Sequence, residues 1–222
     1  MDCAVLFSGG KDSTYAAYIA KKKGYKIKCL ISIISENSES YMFHTPSINK
    51  ANKQAETMDI PIFSYKTKGL KEKELIDLKR AIKHANKKFN FDTIVTGAVE
   101  SNYQKSRIEN ICNDLGLKSF NPLWKKDQKK LIKELMENDF SVIIIGVFAY
   151  PLDKKWLLRK IDEEFLKDME LLNEKYKIHI AGEGGEFESF VLNCPLFKKE
   201  LRIKNKEIFG NKNSWKAEIE VE

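Results

Sequence analysis

Short, continuous apolar runs alternate with amphipathic stretches over the first two-thirds of the chain. Cys3-Ala-Val-Leu-Phe7 and Ile27 to Ile34 are apolar almost throughout, the pattern of strands covered on both faces. Between them, from about Asp12 to Lys23, Ala16, Ala17 and Ala20 share a helical face small enough to pack tightly on a sheet, and Gly24 supplies a stop. Ser35 to Pro46 is polar and reads as a loop, after which Ser47 is placed to cap a helix running to about Met58. Pro61 turns into a third strand, Ile62 to Tyr65. Lys71 to Lys88 predicts a long helix with Leu75, Leu78 and Ile82 on one face and lysines opposite. Asp92 to Thr96 reads as a fourth strand ending at Gly97, a helix follows to Leu115, and a fifth strand falls at Lys118 to Phe120. Such alternation implies parallel strands with right-handed crossovers, hence an α/β, doubly wound sheet. Pattern alone leaves the strand order open.

From Leu123 the rhythm changes. A helix near Asp127 to Asn138 leads to an apolar strand, Ser141 to Phe148. Pro151 then opens what reads as one long helix, with Leu157, Ile161, Phe165, Met169, Leu172 and Tyr176 spaced by three or four. After Gly182 to Glu188 the chain ends in short alternating segments such as Leu201 to Ile203 and Ala217 to Val221. The organisation expected is a doubly wound domain over 1–122 and a smaller α+β lobe over 123–222, packed on the first.

The strand-to-helix turn Ser8-Gly9-Gly10-Lys11-Asp12-Ser13 carries the clearest chemistry. Glycines let the backbone turn sharply with its N–H groups inward, and the following helix begins with unpaired N–H groups and a partial positive charge. Ser8 and Ser13 add hydroxyls and Lys11 a cation, while Asp12 is placed to cap the helix or to hold Mg²⁺ beside phosphates. The turn is neither the G-x-x-x-x-G-K-[ST] loop nor the G-x-G-x-x-G dinucleotide turn. It resembles the SGGxDS loop of the PP-loop ATP pyrophosphatases, whose fold is a parallel, Rossmann-like sheet. That resemblance implies ATP as cosubstrate, with Ser8, Gly9, Gly10, Lys11, Asp12 and Ser13 around the phosphates that leave as pyrophosphate.

Three further segments sharpen the resemblance: Ser40-Tyr-Met-Phe-His44, Gly97 to Asn110, and Gly182-Glu-Gly-Gly-Glu-Phe-Glu-Ser189. Together they resemble the diphthine–ammonia ligases, a PP-loop branch that completes diphthamide on elongation factor 2. The acidic residue expected directly after Gly97 is absent: Ala98 stands there and Glu100 follows. On this resemblance Gly97 joins the ATP contacts, and His44, Glu100, Tyr103, Gln104, Arg107, Gly184 and Gly185 become candidate substrate contacts. Blander roles remain open for several of them, His44 as a surface residue, Tyr103 as a buried ring, and Arg107 and Glu109 as a solvated helix face. Glu183, Glu186 and Glu188 are different in kind. Three carboxylates among three glycines repel one another and weaken the local chain, a pattern suited to a site that faces cations. They are the candidates for removing a proton from ammonium after the diphthine carboxylate has been adenylated, while Lys11 is the catalytic candidate for stabilising charge on the departing phosphates. The expectation is that these acids lie across from the phosphate cradle.

Composition narrows the rest. With 222 residues, 42% hydrophobic and 32% charged, the chain belongs with folded rather than disordered proteins. The run Val142 to Ala149 is too short to cross a bilayer and no signal-like segment opens the chain, so a cytoplasmic protein without a membrane partner is expected. Four cysteines (Cys3, Cys29, Cys112 and Cys194) form no CxxC pair, which points to buried thiols rather than zinc ligands or a persulfide carrier. The net charge of +7 is spread over helical polar faces, and ATP is itself an anion, so nucleic acid is not expected. Two rivals stand beside the ligase: a PP-loop tRNA-modifying enzyme, and a non-catalytic nucleotide-binding module. A homodimer is left open.

Overall fold

The computed structural model describes residues 1–35, 48–68 and 74–222, which form two compact units, Met1–Trp124 and Lys125–Glu222. Ser40 to His44, Ser47 and the first turn expected at Lys71 lie outside the described residues.

In the first unit the elements alternate: β1 (Asp2–Leu6), α1 (Lys11–Lys22), β2 (Lys26–Ser35), α2 (Ile48–Met58), β3 (Ile62–Thr67), α3 (Glu74–Phe89), β4 (Thr93–Val95), α4 (Asn102–Asp114) and β5 (Lys118–Phe120). The five strands are parallel, in the order β3-β2-β1-β4-β5. From β1 the chain winds outward through β2 to β3, then returns to β4 on the other side and continues to β5. The winding therefore reverses between β1 and β4, and open sheets of this kind receive ligands outside the C-terminal ends of the strands at such a point. Ser8 follows the first of these strands and Gly97 the second.

The helices bury the stripes their periodicity marks. Ala16, Ala17 and Ala20 of α1 are fully buried, and Leu78, Ala81, Ile82 and Ala85 of α3 pack with Ile31, Ile33 and Ile94 of the strands. Each fully buried Leu or Ile contributes roughly 1.5–3 kcal/mol of transfer free energy, enough for these few side chains to fix which faces of α1 and α3 meet the sheet. One expectation about α1 is corrected. Gly10, in extended conformation, occupies the cap position without any side-chain cap bond, and Asp12 lies inside the first turn.

The second unit contains α5 (Gln128–Glu137), β6 (Ser141–Val147), α6 (Glu163–Tyr176), β7 (Phe187–Asn193), β8 (Ile203–Asn211) and β9 (Ser214–Val221). Its strands form an antiparallel sheet in the order β7-β6-β9-β8. Asp127 and Asp162 cap α5 and α6, accepting from the N–H groups of Lys130 and Phe165.

The long helix expected from Pro151 forms only over its second half, as α6 from Glu163. Only a 3-10 turn at Lys154–Trp156 precedes a segment that runs extended beside β6. Leu158 N–H donates to Ile144 O at 2.7 Å, Ile144 N–H to Arg159 O at 3.0 Å, and Ile161 N–H to Val142 O at 2.9 Å. Leu158 has a φ of +64°, which breaks any helix there. Among the described residues no helix is long and apolar enough to cross a membrane.

Candidate functional site

The turn after β1 folds back on itself through its own hydroxyls. Ser8 N–H donates to Ser13 Oγ at 3.2 Å, the two hydroxyl oxygens lie 3.1 Å apart, and Ser13 Oγ also reaches Gly10 O at 3.2 Å. Gly9 takes a φ of +81°, a conformation that favours glycine, and its carbonyl accepts from Gln54 Nε2 at 2.9 Å. A Cβ at Gly9 would fall 2.3 Å from Gln54 Oε1, so any side chain there would have to displace the Gln54 amide. Gln54 is fully buried and comes from α2, a contact across 45 positions that local pattern does not reveal.

The first helical bond of α1 runs from Thr14 N–H to Gly10 O at 3.1 Å. The N–H groups of Lys11, Asp12 and Ser13 thus precede the helical ladder, the arrangement that receives anions at helix starts. Lys11 is only 3% exposed, and its ammonium bridges both carboxylate oxygens of Asp12 at 2.9 and 2.8 Å. Anion-binding amides, two hydroxyls and a cation in one turn fit a polyphosphate. For a metal the protein side is thinner: among the described residues no group of three or more His, Cys, Asp or Glu side chains is gathered for one. Asp12 fits the usual way Mg²⁺ is held beside nucleotides, by one or two carboxylates together with the phosphates.

Gly97 belongs to the same edge for a packing reason. A Cβ there would lie 2.6 Å from the Asp12 carbonyl carbon and 2.7 Å from Ser13 N, so the chain leaving β4 passes directly over the first turn of α1. Beside it, Thr96 Oγ1 donates to Asn121 Oδ1 and accepts from Ala98 N–H at 3.3 Å. Asn121 Nδ2 donates to Ser119 Oγ at 3.1 Å and to Glu109 Oε1 at 3.5 Å. Thr96 and Asn121 are absent from the sequence-derived set, although both immediately follow strands at this edge.

Of the remaining candidates in this unit, Glu100 is half-buried in the turn before α4. Ser101 caps that helix by accepting from Gln104 N–H at 3.2 Å. The Arg107 guanidinium carbon stands 3.2 Å from the centroid of the Tyr103 ring, so these two form a stacked pair rather than separate groups. His44 lies outside the described residues.

All four cysteines are buried free thiols. Burial, with the Asp92 charge adding to it, pushes Cys3 up to about 12; burial also pushes Cys29 to about 12 and Cys112 to about 11. Thiols held so firmly protonated are poor nucleophiles.

In the second unit the acidic loop is ordered around one of its own carboxylates. Gly182 and Gly185 have φ values of +76° and +82°, and Gly182 N–H donates to His179 O at 3.0 Å. Glu186, 7% exposed, accepts from His179 N–H through Oε1 at 3.0 Å and from Gly184 N–H through Oε2 at 2.8 Å. A Cβ on Gly184 would strike Oε1 at 2.5 Å, and the Glu186 carbonyl receives Phe148 N–H at 2.8 Å. Gln128, at the start of α5, adds a second tie: its Oε1 accepts from Ala181 N–H at 3.1 Å, and its Nε2 lies 3.1 Å from His179 Nδ1. Glu183 is half-buried in the loop itself. Glu188 is half-buried on β7 opposite Gly146, where a Cβ would come within 3.3 Å of its Oε2. The three glutamates expected to act alike are therefore in three different settings.

Comparison with known proteins covers both units. Residues 1–119 match the model for the diphthamide synthase N-terminal domain, and residues 127–221 match that for the diphthamide synthase C-terminal domain. The diphthine–ammonia ligase of Mus musculus is 32% identical over 93% of this chain and 84% of its own length. That of Homo sapiens is 32% identical over 94% of this chain and 85% of its own. The diphthine–ammonia ligase of Schizosaccharomyces pombe is 34% identical over 91% of this chain, which spans only 36% of that longer protein. Among solved structures, a chain described as a predicted subunit of tRNA methyltransferase from Methanocaldococcus jannaschii aligns over 90% of this chain and 99% of its own at 21% identity, with a TM-score of 0.43, a likeness too loose to bear on function.

Proposed function

The chain belongs to the diphthamide synthase family, whose curated relatives are ligases, and on that premise we propose that it amidates the diphthine carboxylate of elongation factor 2 with ammonia, consuming ATP and releasing AMP and pyrophosphate. The observation that carries the ATP half is the Ser8–Ser13 turn at the point where the winding of the sheet reverses. The amide half rests on the family and on the acidic glycine loop of the second unit.

A carboxylate resists attack by ammonia because oxide is a poor leaving group. In the proposed first step a diphthine carboxylate oxygen attacks the α-phosphorus, the bond to the bridging oxygen breaks, and pyrophosphate departs. The acyl-adenylate so formed has a good leaving group. The first-turn N–H groups, Ser8, Ser13 and the Lys11 ammonium take up charge on the departing phosphates. For that, Lys11 must exchange the Asp12 carboxylate for phosphate oxygens when ATP binds, and Asp12 would then be available to hold a Mg²⁺ ion. Such an ion supplies charge neutralisation to the phosphates.

In the second step the ammonia lone pair attacks the acyl carbon and AMP leaves with the bonding electrons. Ammonium has no lone pair, so a proton must first be removed. Glu183, Glu186 and Glu188, the carboxylates of the acidic glycine loop, are the proposed acceptors. Glu100, Gln104 and the Tyr103–Arg107 stack are the proposed contacts for the modified side chain, with Gly184 and Gly185 leaving the loop open to it. His44 joins them on the resemblance alone. A cytoplasmic setting is part of this reading.

The test uses the purified full chain with ATP, ammonium and diphthine-bearing elongation factor 2. AMP and the amide should appear in equal amounts. ADP as the nucleotide product, or AMP without amide, would overturn the reading.

A further inference from the structure

Gln128 has no part in the scheme above, yet it makes two of the bonds that shape residues 179–184. We infer that Gln128 and Glu186 are positioning residues that together hold the acidic glycine loop, that this network fixes His179 as its Nε2–H tautomer, and that Glu186 is not itself a proton acceptor. The inference rests on the amidation reading for its kinetic half and on geometry alone for the rest.

The tautomer follows from counting donors. Ala181 N–H can only donate, so the Gln128 atom it meets at 3.1 Å must be the amide oxygen. That orientation turns the Gln128 NH₂ group toward His179, 3.1 Å from Nδ1. An amide nitrogen has hydrogens and no available lone pair, so Nδ1 must accept and the ring proton must sit on Nε2. The same residue's backbone N–H is held by Glu186 at 3.0 Å. His179 is thus gripped at its ring by α5 and at its backbone by the loop, and the loop departs from it through the 3.0 Å bond of Gly182 N–H to His179 O.

Both oxygens of Glu186 are engaged in this task. Its two oxygens each take a backbone N–H, bonds of the charge-assisted kind, and it is 7% exposed. A proton arriving from ammonium would weaken both bonds and loosen the loop at the moment its shape is needed. With Glu186 set aside on these two bonds, Glu183 and Glu188 are left as the acceptors of the proton.

Two measurements on the intact protein separate the claims. By ¹⁵N NMR of ring nitrogens, His179 is expected as the Nε2–H tautomer. In Gln128→Glu a carboxylate oxygen replaces the NH₂ group while the acceptor for Ala181 is kept, so the ring must turn donor and the Nδ1–H tautomer should appear. A wild-type Nδ1–H ring, or a tautomer unmoved by Gln128→Glu, would overturn the network. In amidation at saturating ATP, Glu186→Gln and Gln128→Ala should lower kcat about 100-fold by misplacing the loop while the pH–rate profile keeps its shape. Glu183→Gln or Glu188→Gln should instead remove the limb that reports the base. A profile flattened by Glu186→Gln would make Glu186 the base and end the assignment. Should wild-type protein form no amide at all, the ligase reading fails while the NMR result still decides the network.

Discussion

Gly97 shows how a single missing side chain serves the site. The chain leaving β4 lies so close to the first turn of α1 that a methyl group would overlap the Asp12 carbonyl carbon at 2.6 Å, and that neighbour is backbone. Gly97→Ala should destabilise the protein by about 1–3 kcal/mol, read from urea unfolding, and should weaken ATP binding in a titration, because relief requires the phosphate turn to move. Lys11 answers a different question. Lys11→Met keeps the apolar stem, so the fold should survive by circular dichroism, while AMP formation should fall about 100-fold or more with loss of a donor to the departing phosphates. The thiols give a pH-dependent prediction. With Cys3 and Cys29 pushed up to about 12, the folded state keeps protons that the unfolded chain releases above its value of 9.0. Their contribution to stability is intact below about pH 9 and is lost as pH rises toward 12. At pH 8 a disulfide reagent should find no reactive cysteine until denaturant is added; rapid reaction of the native protein would contradict the burial. Legibility at this scale was uneven. The glycines and hydroxyls of Ser8 to Ser13 point to the candidate anion site by their types, because a glycine turn opening onto a helix start suits a phosphate. Gln54 does not, since only the tertiary fold brings α2 over Gly9. The different settings of Glu183, Glu186 and Glu188 were hidden too, for one composition serves a base and a loop clamp equally.

At the level of elements, the parallel strands were readable because strands buried on both faces must be apolar throughout. Their order was not, because burial is the same for every central strand. The stretch after Pro151 shows the limit of periodicity. Leu157, Ile161 and Phe165 recur every four residues, and four is a multiple of both the helical near-repeat and the strand repeat of two. Here the segment up to Ile161 runs extended beside β6, and the helix begins only after Asp162. The cap was the better signal: Asp162 accepts Phe165 N–H at 2.8 Å, with Glu163 and Glu164 in the first turn. Asp162→Ala should cost about 1 kcal/mol in urea unfolding, and Asp162→Asn much less. Equal losses for both would mean that the carboxylate acts through charge at the helix start rather than through the cap bond.

Across the whole molecule the charge is divided as the proposed chemistry requires. Residues 1–124 carry 20 Lys and Arg against 13 Asp and Glu, whereas residues 125–222 carry 19 of each, so the entire excess of +7 sits in the unit with the phosphate turn. Composition gave the total without its location, and the location favours a nucleotide over a polyanion spread along the chain. One unit carries the candidate phosphate turn and the other the acidic loop, and the proposed chemistry draws on both kinds of group. The step on which all of this turns is direct attack of the substrate carboxylate on the α-phosphorus. It is tested by supplying elongation factor 2 whose diphthine carboxylate is labelled with ¹⁸O, together with ATP and ammonium, and weighing the nucleotide product. One labelled oxygen should emerge in AMP for each amide formed. Label appearing in inorganic phosphate, or unlabelled AMP beside fully formed amide, would contradict the acyl-adenylate route.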